Sequence, residues 1–237
     1  MVMLLEKMLQ SQGFGSRKYC QQLIKQGAIK IQGQIQHDLK LNVNVQDLNF
    51  SVYNQDFIYR EKVYLALNKP KNYECSHQAT HHFSVFDLFD PILIQRGLQC
   101  VGRLDQDTTG LLLLTDDGQF LQALTHPKKH VAKVYQMMTA DPITEQQIQA
   151  LQQGVALKNE TGLFCATQIQ QLAENQLQFA IHQGVYHQVK RMLAAVGNKV
   201  VQLHRLQIGE LILPELAEGQ WIYLTESQVQ QAKVRHL

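Results

Sequence analysis

The chain has 237 residues, 45% hydrophobic and 18% charged, with a formal net charge of +2. A chain of that length and balance buries a sizeable core, which excludes an intrinsically disordered protein and a uniform polycation. No apolar stretch reaches 18 residues, so no membrane span is expected.

The charge is unevenly spread. Residues 1–60 hold seven Lys/Arg against four Asp/Glu, and residues 61–237 hold fifteen against sixteen. The first quarter is therefore the better candidate for phosphate contact. Cys20, Cys75, Cys100 and Cys165 are widely spaced with no CxxC pair. That spacing suits free thiols in a reducing compartment rather than a disulfide framework or a zinc site. The opening MVMLLEKMLQ has no basic leader and is interrupted by Glu6 and Lys7, so no signal peptide is expected and the cytoplasm is the expected location.

Residues 3–12 place Met3, Leu4, Met8 and Leu9 near one helical face, before Gly13-Phe14-Gly15 breaks the pattern. Ser16 is placed to cap a second helix over residues 17–26, with Tyr19, Cys20, Leu23 and Ile24 facing inward and Gly27 ending it. Residues 28–35 read as a small hairpin around Gly33. Residues 37–60, rich in Asn, look like a connector with short strands. A domain boundary is expected between Asn54 and Lys62.

From Val63 the stretch VYLALNK reads as a strand running into Pro70. His77, His81 and His82 follow in a polar loop without ligand partners at helical spacing, so no metal site is expected there. Residues 100–118 read CVGRLDQDTTGLLLLTDDG. The four leucines, bounded by Gly110 and by a polar cluster, have the pattern of a fully buried strand. Asp105 stands in the turn-like stretch just ahead, where a rigid scaffold can mount a reactive group. On spacing alone, Asp105 and Asp107 also fit ordinary turn aspartates capping nearby N–H groups.

A helix opens at Asp117-Gly118-Gln119, with Asp116 and Asp117 as its N-terminal caps, and ends near Thr125-His126-Pro127. Basic residues Lys128, Lys129 and Lys133 then enter a strand in which Lys133 and Tyr135 share a face. A helix is expected from Asp141-Pro142 to Gln153, then strands near 166–170 and 176–182. Gln188 to Val196 reads as a helix, 200–208 as a strand, and the segment from Gly219 as a strand followed by a helix capped by Thr225 and ending near Leu237.

Three blocks together carry a resemblance. GRLDxxTxGLLLLTxDG at 102–118, LNKP with Tyr73-Glu74-Cys75-Ser76 at 67–76, and GVYHQVKRMLAAVGNKVVQLHR at 184–205 are similar to the signatures of the RNA pseudouridine synthases of the RsuA/RluB/RluE/RluF family. Helix, GxGSR turn, helix and hairpin at the N-terminus resemble the S4 RNA-binding module. The resemblance implies an α+β protein. An S4-like α/β module at 1–58 would precede a pseudouridine synthase catalytic domain at 61–237, built on a mixed, mainly antiparallel sheet with flanking helices.

The resemblance also implies roles. Asp105 falls on the catalytic aspartate and Tyr135 on the active-site tyrosine, and a basic residue that pairs with the aspartate falls on Lys190 or Arg191. RNA contact is expected from Arg17, Lys18, Lys25 and Lys30 in the S4-like module. In the catalytic domain it is expected from Lys69, Arg103, Lys128, Lys129, Lys133, His187, Gln188 and Arg205. The chain departs from the family pattern at Leu4, Asn72 and Val185, where arginine, glycine and arginine are usual. Asn72 still suits the turn, because asparagine enters the left-handed region more readily than most residues.

Family chemistry converts uridine to pseudouridine without gain or loss of atoms, so neither cofactor nor metal is expected. The wording DTTG…TDDGQ at 107–119 and HQVKRM-x-AAVGN…LHR at 187–205 is nearest the branch that acts on the small ribosomal subunit. That implies a 16S rRNA target, position 516 in the usual numbering, as free RNA or in a partly assembled subunit, modified by a monomer. A 23S stem-loop target, or a non-catalytic rRNA-binding or assembly factor, are the alternatives.

Overall fold

The computed structural model describes residues 1–126 and 129–235. The chain divides into two compact units. One comprises Met1–Val63 with Phe89–Gln99, the other Tyr64–Leu88 with the chain from Cys100 onward.

The first unit starts with a strand, β1 (Val2–Leu4), followed directly by helix α1 (Leu5–Ser11). Met3 and Leu4 were expected in the helix. Their backbone is instead committed to an antiparallel ladder with β4 (Asn42–Asn44), a long-range pairing that local spacing does not reveal. Helix α2 (Arg17–Lys25) begins where Ser16 accepts a hydrogen bond from the Tyr19 N–H. Cys20, Leu23 and Ile24 face inward, but Tyr19 lies 47% exposed, one position off the apolar stripe. Strands β2 (Ile29–Ile31) and β3 (Gln34–Gln36) form the expected hairpin. The stretch read as a connector adds β5 (Asn49–Val52) and β6 (Gln55–Ile58), giving a four-stranded sheet ordered β3-β2-β5-β6. Leu5, Met8 and Leu9 of α1 and Leu23 and Ile24 of α2 pack with Ile29, Phe50 and Val52 into one core. Helix α3 (Pro91–Gln95) belongs to this unit, and its Ile92 joins that core.

The second unit is built on a mixed sheet. Its main path uses β7 (Tyr64–Lys69), β8 (Thr109–Thr115), β9 (Lys133–Thr139), β10 (Thr167–Ala173), β11 (Gln176–Ile181), β12 (Val200–Ile208) and β13 (Trp221–Tyr223). The order is β10-β11-β9-β12-β8-β7-β13, antiparallel at every step except β8 against β12. Leu111, Leu112, Leu113 and Leu114 on β8 are all fully buried. A strand covered on both faces has no reason to alternate, hence the unbroken leucine run. Helices α4 (Gly118–Thr125) and α7 (Glu226–Lys233) cover one face through Phe120, Leu124, Val229 and Ala232, packed with Leu111 and Leu113.

Capping sets the helix starts. Of the two candidate aspartates it is Asp117 that caps α4, accepting from the Gln119 N–H, while its other carboxylate oxygen accepts from the Tyr64 hydroxyl. Helix α5 (Glu145–Gln153) starts later than the Asp141-Pro142 expected from the sequence. Thr144 and Gln147 form a reciprocal capping box, and the Ile143 N–H is committed to the Glu174 carbonyl. Helix α6 (Gln188–Ala195) and β12 follow as expected. All four cysteines are free thiols. No helix among the described residues is long and apolar enough to cross a membrane.

Candidate active site

The second unit holds Asp105 in a loop fastened from below. Lys69, the last residue of β7, is fully buried, and its ammonium donates to the carbonyls of Thr108 (2.9 Å), Pro70 (3.0 Å) and Gln106 (3.3 Å). The Gln106 carbonyl also accepts from the Asn72 N–H at 2.7 Å, and Asn72 takes the left-handed conformation (φ 67°) that asparagine tolerates. The Leu104 N–H meets the Cys75 sulfur at 3.5 Å, and the Thr108 N–H donates to Asp105's own carbonyl at 3.1 Å. Lys69 was expected to face a phosphate. Its side chain instead serves as an internal cation for three loop carbonyls, and burial pushes its amine down to about 8 against the pull of Cys75, Asp107 and Asp105.

Just beyond the loop, β8 runs beside β12, with Gly110 paired to Arg205. A Cβ on Gly110 would lie 2.3 Å from the Arg205 carbonyl oxygen, so no side chain fits between these strands. Arg205, only 2% exposed, turns its guanidinium inward. Nε donates to the Leu111 carbonyl at 2.8 Å and Nη1 to the Tyr135 hydroxyl at 3.4 Å. The residue expected at an RNA surface thus ties β12 to β8 and to Tyr135. Tyr135 is buried on β9, and Lys133, two residues before it, donates to the Val131 carbonyl at 3.0 Å. Burial, and then the nearby Arg205, bring the Lys133 amine down to about 8.

The N-terminus of α6 supplies the partners of Asp105. Lys190 Nζ lies 3.1 Å from Asp105 Oδ2 and 2.6 Å from Asp107 Oδ1. His187 Nε2 lies 3.4 Å from Asp105 Oδ1. Both carboxylate oxygens of Asp105 are therefore held by basic side chains from one turn of chain. Burial works against the Lys190 charge, but hydrogen bonds to Asp107 and Asp105 outweigh it and raise its pKa above the ordinary lysine value. Burial likewise opposes ionisation of Asp107, yet its bond to Lys190 prevails and lowers its pKa.

Of the two basic residues the sequence left open, Lys190 reaches Asp105 and Arg191 does not. Successive residues on a helix point about 100° apart, so one faces the loop and the other turns away. Arg191 pairs with Glu160 at 2.9 Å and donates to the carbonyls of Tyr186 and Lys158. Gln188 is buried, and its side-chain oxygen accepts from the Val185 N–H at the start of α6.

Asp105, Tyr135, Lys190, His187, Arg103 and Arg205 together line a cleft of about 470 Å³ in the second unit. Lys133 and Gln188 line it too, whereas Lys129 is half-buried outside that lining and Lys128 lies outside the described residues. In the first unit, Arg17, Lys18 and Lys25 are exposed on α2, and Lys30 on β2 donates to the Asn54 side chain at 2.7 Å. Arg17 pairs with the buried Glu6 at 2.8 Å. Two contacts of the cleft were not read from the sequence: His187 on Asp105, and the sharing of Lys190 by Asp107. Among the described residues, no group of three or more His, Cys, Asp or Glu is placed to hold a metal ion, and the His77 ring stacks on Phe86.

Comparison with known proteins fits this arrangement. Residues 63–195 match the RNA pseudouridylate synthase family and residues 3–49 match the S4 domain. The chain is 38% identical, over 91% of its length and 93% of the relative's, to ribosomal small subunit pseudouridine synthase A of Haemophilus influenzae. It is 37% identical to the RNA pseudouridine synthase YtzG of Bacillus subtilis, covering 96% of this chain and 97% of that one. A crystal structure of a pseudouridylate synthase superposes with a TM-score of 0.69 at 36% identity, covering 97% of this chain and 99% of the other. With the family model spanning more than half of the chain and relatives of this identity covering nearly all of it, the chain belongs to the RNA pseudouridylate synthase family and carries an S4 domain ahead of the synthase domain.

Proposed function

We propose that the protein converts one uridine of small-subunit ribosomal RNA to pseudouridine, the 16S uridine at position 516 in the usual numbering, with Asp105 acting at C1′. The reaction breaks the N1–C1′ bond, rotates the uracil and joins C5 to C1′. The proton lost from C5 is balanced by one gained at N1. A carboxylate placed at C1′ serves as nucleophile or as countercharge to the positive charge that develops there, as carboxylates do at the sugar carbon of glycosidases.

The observation that carries this reading is the grip on Asp105. Lys190 and His187 hold its two oxygens inside the cleft that also contains Tyr135. In that setting Tyr135 stacks against the uracil and moves a proton during the rearrangement, its hydroxyl oriented by Arg205. The target base has to leave its stack to reach the cleft, which costs least in a loop or an unpaired segment. Holding the surrounding RNA falls to the exposed cations of the S4 unit and to Arg103 at the cleft. The small-subunit target follows several relatives that are ribosomal small subunit pseudouridine synthases.

The test maps pseudouridine by carbodiimide labelling and primer extension. Wild-type protein and Asp105→Asn are incubated with 16S transcript, 23S transcript and a particle of 16S rRNA with small-subunit proteins. One new stop in 16S is expected with wild type. The variant should turn over at least about 10³-fold more slowly with RNA affinity within about twofold, the pattern of an interaction made in the transition state. A stop confined to 23S rRNA moves the target to the large subunit. Wild-type activity in the variant removes Asp105 from the chemistry. Tight binding with no stop on any RNA leaves an rRNA-binding or assembly factor.

A further inference from the structure

Tyr186 is used by none of the contacts that build the cleft, and it is 67% exposed. It is nevertheless not a loose side chain. Its ring lies flat on the ring of His187, with centroids 3.7 Å apart and planes 19° from parallel. The same imidazole reaches Asp105 Oδ1 with its Nε2. One ring therefore separates Tyr186 from the carboxylate.

The backbone holds that stack in place from both sides. His187 adopts a left-handed conformation (φ 51°, ψ 32°), which costs a non-glycine residue energy and is kept where surrounding contacts over-determine it. The Tyr186 carbonyl accepts from Arg191 Nη1 at 3.1 Å, and Arg191 is itself fastened to Glu160 and to the Lys158 carbonyl. An aromatic ring backed by a second ring and anchored through its own backbone presents its free face to solvent, next to His187, which lines the cleft. Phe83, comparably exposed, tilts against Tyr73 at 35° and touches no partner of Asp105 in the contacts described.

We propose that Tyr186, backed by His187, is a stacking platform for an unpaired nucleobase adjacent to the target uridine. The inference rests on Asp105 being the residue that receives that uridine. Extruding a nucleotide leaves its neighbour without one stacking partner, and an exposed aromatic face replaces the lost contact whatever the base, since every base has a π-face. The platform thus contributes to holding the RNA open and has no part in bond breaking. Arg191, through the Tyr186 carbonyl, is its positioning residue.

The test compares wild type with Tyr186→Ala, Tyr186→Phe and Tyr186→Trp, using as substrate the rRNA transcript that wild type modifies. Alanine is expected to raise KM by about 5- to 150-fold, the range of single base–aromatic stacks, while kcat stays within about twofold. Phenylalanine and tryptophan should restore KM. A second arm places an abasic site on either side of the target uridine. One of these RNAs should cost wild type the same factor and cost Tyr186→Ala nothing further.

RNA affinity measured by fluorescence anisotropy in an Asp105→Asn background, with and without Tyr186→Ala, separates this idea from the proposed chemistry. Wild-type protein that makes no pseudouridine sinks the proposed function. Equal affinity with and without Tyr186, or an alanine penalty that persists in full on both abasic RNAs, sinks the platform.

Discussion

The two units carry their cations in opposite ways. In the S4 unit Arg17, Lys18 and Lys25 stand exposed along α2, and the unit's surplus of positive charge was visible in a simple count. In the synthase unit, Lys69 and Arg205 are enclosed, Lys190 is largely covered, and each is tied to carbonyls or carboxylates. The stretch with the slight acidic surplus thus holds the cations that shape the site. Formal charge reports on how RNA is attracted and retained, whereas enclosed charge reports on how a reactive group is positioned. The two kinds should respond differently when removed.

The sharpest contrast lies between neighbours on α6. Lys190→Met should lower kcat by about 10²-fold or more, because it strips one oxygen of Asp105 and one of Asp107 of their partner. Arg191→Met should act on melting temperature and on KM, with kcat nearly retained, because its contacts are to Glu160 and two carbonyls. Steady-state kinetics with a thermal scan would decide it, and the reverse pattern would exchange the roles.

Lys69 offers a sharper test of enclosed charge through pH. Its pKa falls from 10.5 to about 8 on folding. Below about 8 the folded and unfolded chains both carry the proton, and the burial cost is present in full. Between about 8 and 10.5 the unfolded chain holds the proton that the folded chain has released, so stability rises with pH. Relative to Lys69→Met, wild type should gain stability across that window, by up to about 3 kcal/mol at about 1.4 kcal/mol per unit. Urea titrations of both proteins at pH 7.5, 9 and 10.5 measure it, and a difference flat in pH would contradict a buried ammonium.

The smallest effect belongs to the open surface. Lys18→Ala should weaken RNA binding evenly across sequences and reduce the slope of log affinity against log salt by about one, with kcat at saturating RNA unaltered. An unchanged slope would remove Lys18 from the RNA interface.

Much of this was legible in one dimension. The leucine run, bounded by Gly110, announced a strand buried on both faces, and the aspartate ahead of it fell where a fixed loop forms, whereas the close approach of Gly110 to Arg205 was not read from the sequence. Lys133 and Tyr135 were placed on one face by alternation alone, and both line the cleft. What stayed hidden depends on three-dimensional neighbours. Whether Lys190 or Arg191 met the aspartate required the rotational setting of α6 against the loop, which register in the sequence does not supply. Lys69 read as a surface cation because nothing local shows three carbonyls converging on it from 1 to 39 residues away. Met3 and Leu4 followed a helical stripe but were taken by a strand pairing about forty residues distant.

The fastening of the Asp105 loop also decides which molecule does the moving. A carboxylate gripped at both oxygens, on a backbone held by an internal ammonium, has little freedom to swing towards its target. On the proposed mechanism, adjustment between the encounter and the reactive geometry would then fall to the nucleic acid, through unstacking and rotation of the nucleotide that enters. With Asp105 acting as proposed, selection among uridines would become a question of mechanical compliance, a stiff stem refused and a pliable loop admitted even where the bases flanking them spell the same letters.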